Sequence, residues 1–286
     1  MLYPFDYYSP KTLNEAFKIM EESKNCKIMA GGTDLLVNIR AGKERPDVVI
    51  DIKRIEELNR IEVIDNTLRL GATVTFNQII ENKIIKERIT ALYEAAEVMG
   101  CYEIRNKATI GGNIVNASPG SESGSPLYVF EAKVLLKSKE GERLLNISEF
   151  IKGVNRTDIR EGEILAEVLI PLYNGDSGSI YFRGRRVKGM DLASLNLAML
   201  ILNLKDDNNR KVRLAAGAVH PTPLRMTEIE EILSFKKLNE EIIEKAKKRA
   251  AEIIFPRATS LRATPEYKKV MVGNFIEMGL KKLLKI

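Results

Sequence analysis

Ala30-Gly31-Gly32-Thr33-Asp34-Leu35 and Ala108-Thr109-Ile110-Gly111-Gly112-Asn113 are two diglycine loops in one chain. Each follows or interrupts an apolar, strand-like run, and each sets small residues beside a hydroxyl side chain. Glycine lacks a Cβ, so the backbone there can take positive φ and come close to a ligand. Successive exposed N–H groups then form a concave nest for anionic oxygens. Two nests about eighty residues apart suit a ligand that carries two linked phosphates. Either loop alone reads first as a plain turn, and the pairing is what carries weight.

Composition narrows the function classes. The chain has 286 residues, enough for two domains, and its 44% hydrophobic and 29% charged content is that of a globular protein. No apolar run is long enough to span a bilayer, and the start, Met1-Leu2-Tyr3-Pro4-Phe5-Asp6, lacks a basic segment followed by an apolar one. A cytoplasmic location without membrane attachment is expected. The two cysteines, Cys26 and Cys101, are too few for an all-thiolate iron–sulfur cluster or a zinc ribbon in this chain. The single histidine, His220, stands between Val219 and Pro221-Thr222-Pro223 and reads as a turn residue. The net charge of +6 raises nucleic-acid binding. Glutamates interleave with lysines in Glu240-Glu241-Ile242-Ile243-Glu244-Lys245-Ala246-Lys247-Lys248, however, which reads as a solvated helix face.

Periodicity places the loops. Ser9 reads as the N-cap of a first helix with Pro10 in its first turn, and Leu13, Ala16, Phe17 and Met20 share one face. Lys27–Ala30 is a short strand feeding the first diglycine loop, and Val48–Ile52 is a buried strand. Ile61–Ile64 and Leu68–Ala72 flank the hairpin signal Asp65-Asn66, and Thr75 with Gln78 makes a capping box. A helix with Ile89, Leu92, Tyr93 and Ala96 on one face stops at Gly100. A hairpin around Glu140-Gly141 and a strand Ile164–Ile170 follow the second loop. Tyr173–Ser179 has linker composition, so domains of 1–175 and 176–286 are expected. The second domain reads as three strands, Ile180–Val187, Leu195–Leu204 and Val212–Val219, with helices Glu240–Ile254 and Pro265–Leu284.

Neither loop matches the dinucleotide fingerprint or the phosphate loop of nucleoside triphosphatases. The chain instead resembles the FAD-binding medium subunit of the molybdenum hydroxylases, the xanthine dehydrogenase and carbon monoxide dehydrogenase flavoprotein family. The resemblance rests on Ile28–Leu35 and Ile104–Pro119, and it continues through Tyr3-Pro4-Phe5, Glu163-Ile164-Leu165, Met190-Asp191, Gly217–Arg225 and Arg262–Tyr267. It implies an α+β fold: a two-part FAD-binding domain of the vanillyl-alcohol-oxidase (PCMH) type, then a small α/β C-terminal domain with a three-stranded antiparallel sheet. It implies that Ile28, Met29, Ala30, Gly31, Gly32, Thr33, Asp34 and Leu35 wrap the FAD pyrophosphate together with Ala108, Thr109, Ile110, Gly111 and Gly112. Asn113 braces the second loop, and Asp34 reads either as a ligand contact or as the cap of the next helix.

By the same resemblance Met99 lies near the cofactor and Leu165 packs near the flavin. Glu122 stands where the family usually has Asp, and Arg183 stands where many relatives have Lys. No acid–base pair, nucleophile or metal ligand of this chain is implied, because the cofactor carries the chemistry. A large molybdopterin subunit and a small subunit with [2Fe–2S] clusters are the implied partners in a hetero-oligomer, with NAD⁺ or another final acceptor. A xanthine or purine dehydrogenase is the favoured substrate class, with nicotinate, aldehyde and carbon monoxide dehydrogenases as alternatives. A self-contained flavin oxidoreductase of the same fold and a basic nucleotide- or RNA-binding module are the rivals.

Overall fold

Val48–Asp51 forms a strand buried at all four positions in the computed structural model, which describes residues 3–187, 189, 191–260 and 262–286. Met1, Leu2 and Met190, quoted above, lie outside the described residues. A continuous apolar run suits a strand covered on both faces. Here it is the centre of a three-stranded parallel sheet, flanked by Asp6–Tyr8 and Cys26–Met29. The strand Cys26–Met29 delivers the chain directly into the first diglycine loop.

The chain divides into two units, each assembled from separate stretches. The first comprises the chain up to Ile79 with Cys101–Ala117 and Ala132–Ile170; the second comprises Ile80–Gly100, Ser118–Glu131 and Pro171–Ile286. In the first unit a five-stranded sheet runs in the order Ile61–Ile64, Thr67–Gly71, Ile164–Pro171, Lys133–Lys137, Glu142–Asn146. The Asp65-Asn66 hairpin forms as expected, both residues taking left-handed φ (48° and 56°), as its tight turn requires. The capping box also forms: Gln78 N donates to Thr75 Oγ1 (3.3 Å) and Thr75 N donates to Gln78 Oε1 (2.8 Å). Leu13, Ala16 and Phe17 of helix Leu13–Glu22 pack with Val48, Ile50, Ile164 and Ala166, which joins the parallel sheet to the five-stranded one.

In the second unit an antiparallel sheet runs Ser177–Gly184, Leu195–Leu202, Lys211–Gly217, Leu224–Arg225. Thus a fourth, two-residue strand extends the three that the sequence indicates. Seven of the eight residues of Leu195–Leu202 are buried, because helices cover both faces of the sheet. On one face Leu195, Leu197, Met199 and Ile201 pack against Ile243, Ala246, Phe275 and Ile276 of the two long C-terminal helices. On the other lie Thr90–Val98 and Gly124–Val129.

Two local expectations are corrected. The first helix starts at Leu13, and its N-cap is Thr12, not Ser9. Thr12 Oγ1 accepts from Glu15 N (3.2 Å) while Glu15 Oε2 accepts from Lys11 N (2.8 Å), so the reciprocal pair sits three residues further along. The strand Ser177–Gly184 also begins inside the stretch read as linker, since Ser177, Gly178 and Ser179 pair with Leu202, Ile201 and Leu200. Polar, glycine-containing sequence is permitted there because the strand lies at the sheet edge.

The helix start is checked by paired variants: Thr12→Ala lowers the unfolding free energy by about 1 kcal/mol in urea melts, while Ser9→Ala costs no more than a few tenths.

Candidate cofactor site

The two diglycine loops meet inside the first unit. A Cβ on Gly31 would lie 2.0 Å from the Lys107 carbonyl oxygen, so only glycine lets the first loop rest on the chain leading into the second. A Cβ on Gly111 would lie 2.6 Å from Ala72 Cβ and 2.7 Å from Ala72 O. Gly112 is different: the nearest atoms to its Cβ position are Thr109 Oγ1 at 3.0 Å and Ala30 Cβ at 3.9 Å. Its tight contact is thus with a side-chain hydroxyl and not with backbone, so it is less filled than Gly31 or Gly111.

The two loops differ in the donors they leave available. In the second, Ile110 N donates to Val74 O (2.9 Å), Gly111 N to Ala72 O (3.0 Å) and Asn113 N to Thr109 O (3.0 Å). Gly112 N donates to Thr109 Oγ1 (3.1 Å), so Thr109 is the buried N-cap of helix Ile110–Asn116. Its hydroxyl proton is still available to donate. In the first loop, among the described residues, the N–H groups of Gly32, Thr33 and Asp34 donate to no other residue of the chain. Gly32 takes φ of +73°, turning these amides away from the preceding strand. Asp34 occupies the N-cap position of helix Leu35–Arg40 but makes no side-chain cap bond. The amides without a partner in the chain thus belong to the first loop, while the second supplies a wall and one hydroxyl.

Ile28 and Met29 belong to the strand that feeds the first loop, and Ala30 sits at its start. Arg105 Nε donates to Asn77 Oδ1 (3.1 Å), and Asn77 Nδ2 donates to Asn106 Oδ1 and to Tyr102 O, which braces the approach to the second loop. Leu165 is 3% exposed in strand Ile164–Pro171 and pairs with Leu136, just before a bulge at Ala166.

The remaining residues singled out in the sequence, Met99, Glu122 and Arg183, lie together in the second unit. Arg183 Nε is 3.1 Å from Glu122 Oε1, and Arg183 Nη1 donates to Val98 O (2.5 Å), beside Met99. The Tyr181 hydroxyl donates to Glu122 Oε2. Tyr181 escaped the sequence reading, although its spacing of two from Arg183 on one strand puts both on the same face. Burial pushes the Glu122 carboxyl up to about 7, against the opposing pull of Arg183 and the Tyr181 hydroxyl. Burial, then the Glu122 charge, raises the Tyr181 hydroxyl well above its ordinary range. The cluster therefore holds a fixed positive charge beside a carboxyl able to carry or release a proton near neutrality.

His220 is exposed in its turn, with Nδ1 3.4 Å from Thr222 Oγ1, and Cys26 and Cys101 are free thiols. Among the described residues no group of three or more His, Cys, Asp and Glu is placed to hold a metal ion.

A family profile described as the FAD binding domain in molybdopterin dehydrogenase matches residues 3–173, and one described as the CO dehydrogenase flavoprotein C-terminal domain matches residues 180–283. The chain belongs to this family, the FAD-binding medium subunits of the molybdenum hydroxylases. The glyceraldehyde dehydrogenase medium chain of Sulfolobus acidocaldarius is 31% identical over 273 residues, 95% of this chain and 96% of that one. The nicotinate dehydrogenase FAD-subunit of Eubacterium barkeri is 32% identical, over 94% and 92% of the two chains. Among solved structures, carbon monoxide dehydrogenase from Hydrogenophaga pseudoflava superposes with a TM-score of 0.92 at 29% identity, covering 98% of this chain and 97% of that one.

The raised Glu122 value has a definite sign. Because the native carboxyl binds its proton up to about 7, against roughly 4.3 when unfolded, its contribution to stability is full below the unfolded value. That contribution is lost as pH rises through 7. Urea melts at pH 5 and pH 8 should show this fall, and Glu122→Gln should reduce it.

Proposed function

We propose that this FAD subunit serves a xanthine or purine dehydrogenase-like complex, taking electrons from [2Fe–2S] clusters of a small partner subunit and passing them to NAD⁺ or another acceptor. A large molybdopterin subunit would carry the substrate chemistry. The observation that carries the cofactor assignment is the set of unsatisfied amides at Gly32, Thr33 and Asp34, which fits an anionic diphosphate. Bound FAD supplies a redox centre that exchanges electrons with donor and acceptor.

The chain's own residues bind and orient it. The Gly32, Thr33 and Asp34 amides would take pyrophosphate oxygens, the Thr109 hydroxyl would add a donor, and Gly112 would leave room beside Ala30. Ile28, Met29 and Leu35 would shape the first wall, and Ala108, Ile110 and Asn113 would hold the second. Met99, Leu165, Glu122 and Arg183 are proposed as flavin neighbours, with Arg183 setting a fixed positive charge and Glu122 a proton-dependent one. The segment 1–175 is proposed as the FAD-binding domain and 176–286 as the C-terminal domain. A cytoplasmic setting without nucleic acid is part of this reading. It is compatible with the finding that, among the described residues, no helix is long and apolar enough to cross a membrane.

The cofactor site is tested with Gly112→Val, because Gly111 and Gly31 are filled by chain and their variants would report on folding. Gly112→Val should purify without yellow colour while its melting temperature stays close to that of the wild-type apoprotein. Full FAD occupancy in this variant would overturn the site. The wider reading is tested by native pull-down and mass spectrometry, followed by NADH formation with xanthine. Turnover of a small substrate by the lone chain would favour the self-contained oxidoreductase instead.

A further inference from the structure

A second concentration of positive charge lies in the second unit, around Ala218. This residue takes a left-handed φ of 60° without being glycine, a conformation that persists only where its surroundings hold it. Two bonds do so: Ala218 N donates to Pro119 O (2.7 Å), and Ala218 O accepts from Lys268 Nζ (2.8 Å). Lys268 is only 4% exposed, and that bond uses one of its three ammonium donors. A cavity of about 160 Å³ opens beside it, lined by Lys268, Arg257, Arg262, Ser260, His220 and Phe255 among others. A further cavity of about 430 Å³ shares Arg257, Ser260 and Arg262 and adds Arg186.

No carboxylate is among the described residues lining the first cavity, and neither Arg257 nor Arg262 forms an ion pair among the described residues. Buried cations ordinarily carry a partner. Burial and the neighbouring Arg257 and Arg262 charges hold the Lys268 amine below its ordinary range, which marks crowding of like charge. An oxyanion in the cavity would relieve that crowding. Phe255, 71% exposed, stands at the same cavity and contributes nothing to the core.

We propose that this cavity binds the phosphate of a nucleotide, with Arg257, Arg262 and Lys268 taking its oxygens and Phe255 offering its ring to the base. Arginine suits the role because its planar fork meets phosphate with two donors. An aromatic face accepts any base, so the site selects phosphate plus base without reading the base edge. The cavity's volume of about 160 Å³ is many times the ~10–15 Å³ a single water requires.

The test uses the full chain saturated with FAD, titrated calorimetrically with AMP, inorganic phosphate and adenosine. AMP should bind, phosphate should bind more weakly, and adenosine should give no heat. Arg257→Ala or Arg262→Ala should weaken AMP by about tenfold or more, as loss of a charge-assisted phosphate contact does. Phe255→Ala should weaken AMP and leave phosphate unchanged. All three residues are exposed, and thermal melts verify that each variant keeps its fold. Absence of AMP binding would overturn the proposal, as would unchanged affinity in both arginine variants. Release of FAD by AMP would place the nucleotide on the FAD site and overturn it. So would loss of AMP binding in the intact complex, which would assign these cations to carboxylates of a partner subunit. Flavin absorbance of the same samples reads the FAD assignment separately, so the two readings can fail independently.

Discussion

The backbone-on-backbone approach at Gly31 and Gly111 is the constraint on which the junction of the two diglycine loops depends. With no side chain at Gly31, the first loop rests on the Lys107 carbonyl; with none at Gly111, the second loop rests on Ala72. Ala72 in turn donates its N–H to Ala166 O (2.8 Å), so the second loop is tied through two hydrogen bonds to the five-stranded sheet. The parallel sheet positions the first loop from the other side. Because its strand ends at Met29, the next amides have no neighbouring strand to bond, and this leaves them free for a ligand.

The second unit handles polarity differently. Along Ser177–Gly184, Ile180 and Phe182 face the apolar core, while Ser179, Tyr181 and Arg183 face helices Thr90–Val98 and Gly124–Val129. Their polar groups meet partners there, although Arg183 Nε, buried 3.1 Å from Glu122 Oε1, makes an ion contact without a hydrogen bond. Ser179 Oγ accepts from Ala91 N (3.0 Å), Tyr181 N donates to Glu94 Oε2 (2.7 Å), and Tyr181 and Arg183 share Glu122. Removing one member of such a buried set leaves the others desolvated without compensation, which costs more than the set contributes when whole. The arrangement therefore fixes Arg183 in one place, a property that a solvent-exposed lysine or arginine would lack.

Much of this was legible in the sequence because it is local. The hairpin at Asp65-Asn66 and the Thr75–Gln78 box each follow from residues within four positions of one another. The glycine loops were legible as a pair, and the resemblance implies FAD as their ligand. What the sequence hid depends on distant partners. Nothing in Ile110-Gly111-Gly112 announces that its amides are taken by Val74, Ala72 and Thr109, so both loops read as equivalent nests when only one is open. Tyr181 was likewise silent, because its meaning comes from a glutamate 59 residues away. The interleaving of the two units has the same origin: segments 80–100 and 118–131 are claimed by a sheet that begins only at Ser177.

Net charge illustrates the same limit in electrostatic terms. A total of +6 with glutamates interleaved reads as a uniformly solvated surface. The structure divides that charge into three kinds of environment. Along the C-terminal helices, lysines meet carboxylates at 2.6–2.7 Å and their fields cancel locally. At Arg183 a buried cation is balanced by one carboxyl whose proton is labile near neutrality. Around Lys268 three cations share a cavity whose described walls hold no carboxylate. Only the last leaves a field directed at a concave space, where low-dielectric walls concentrate it. A chain that is basic overall thus gathers donors in two small places, one made of backbone amides and one of side chains.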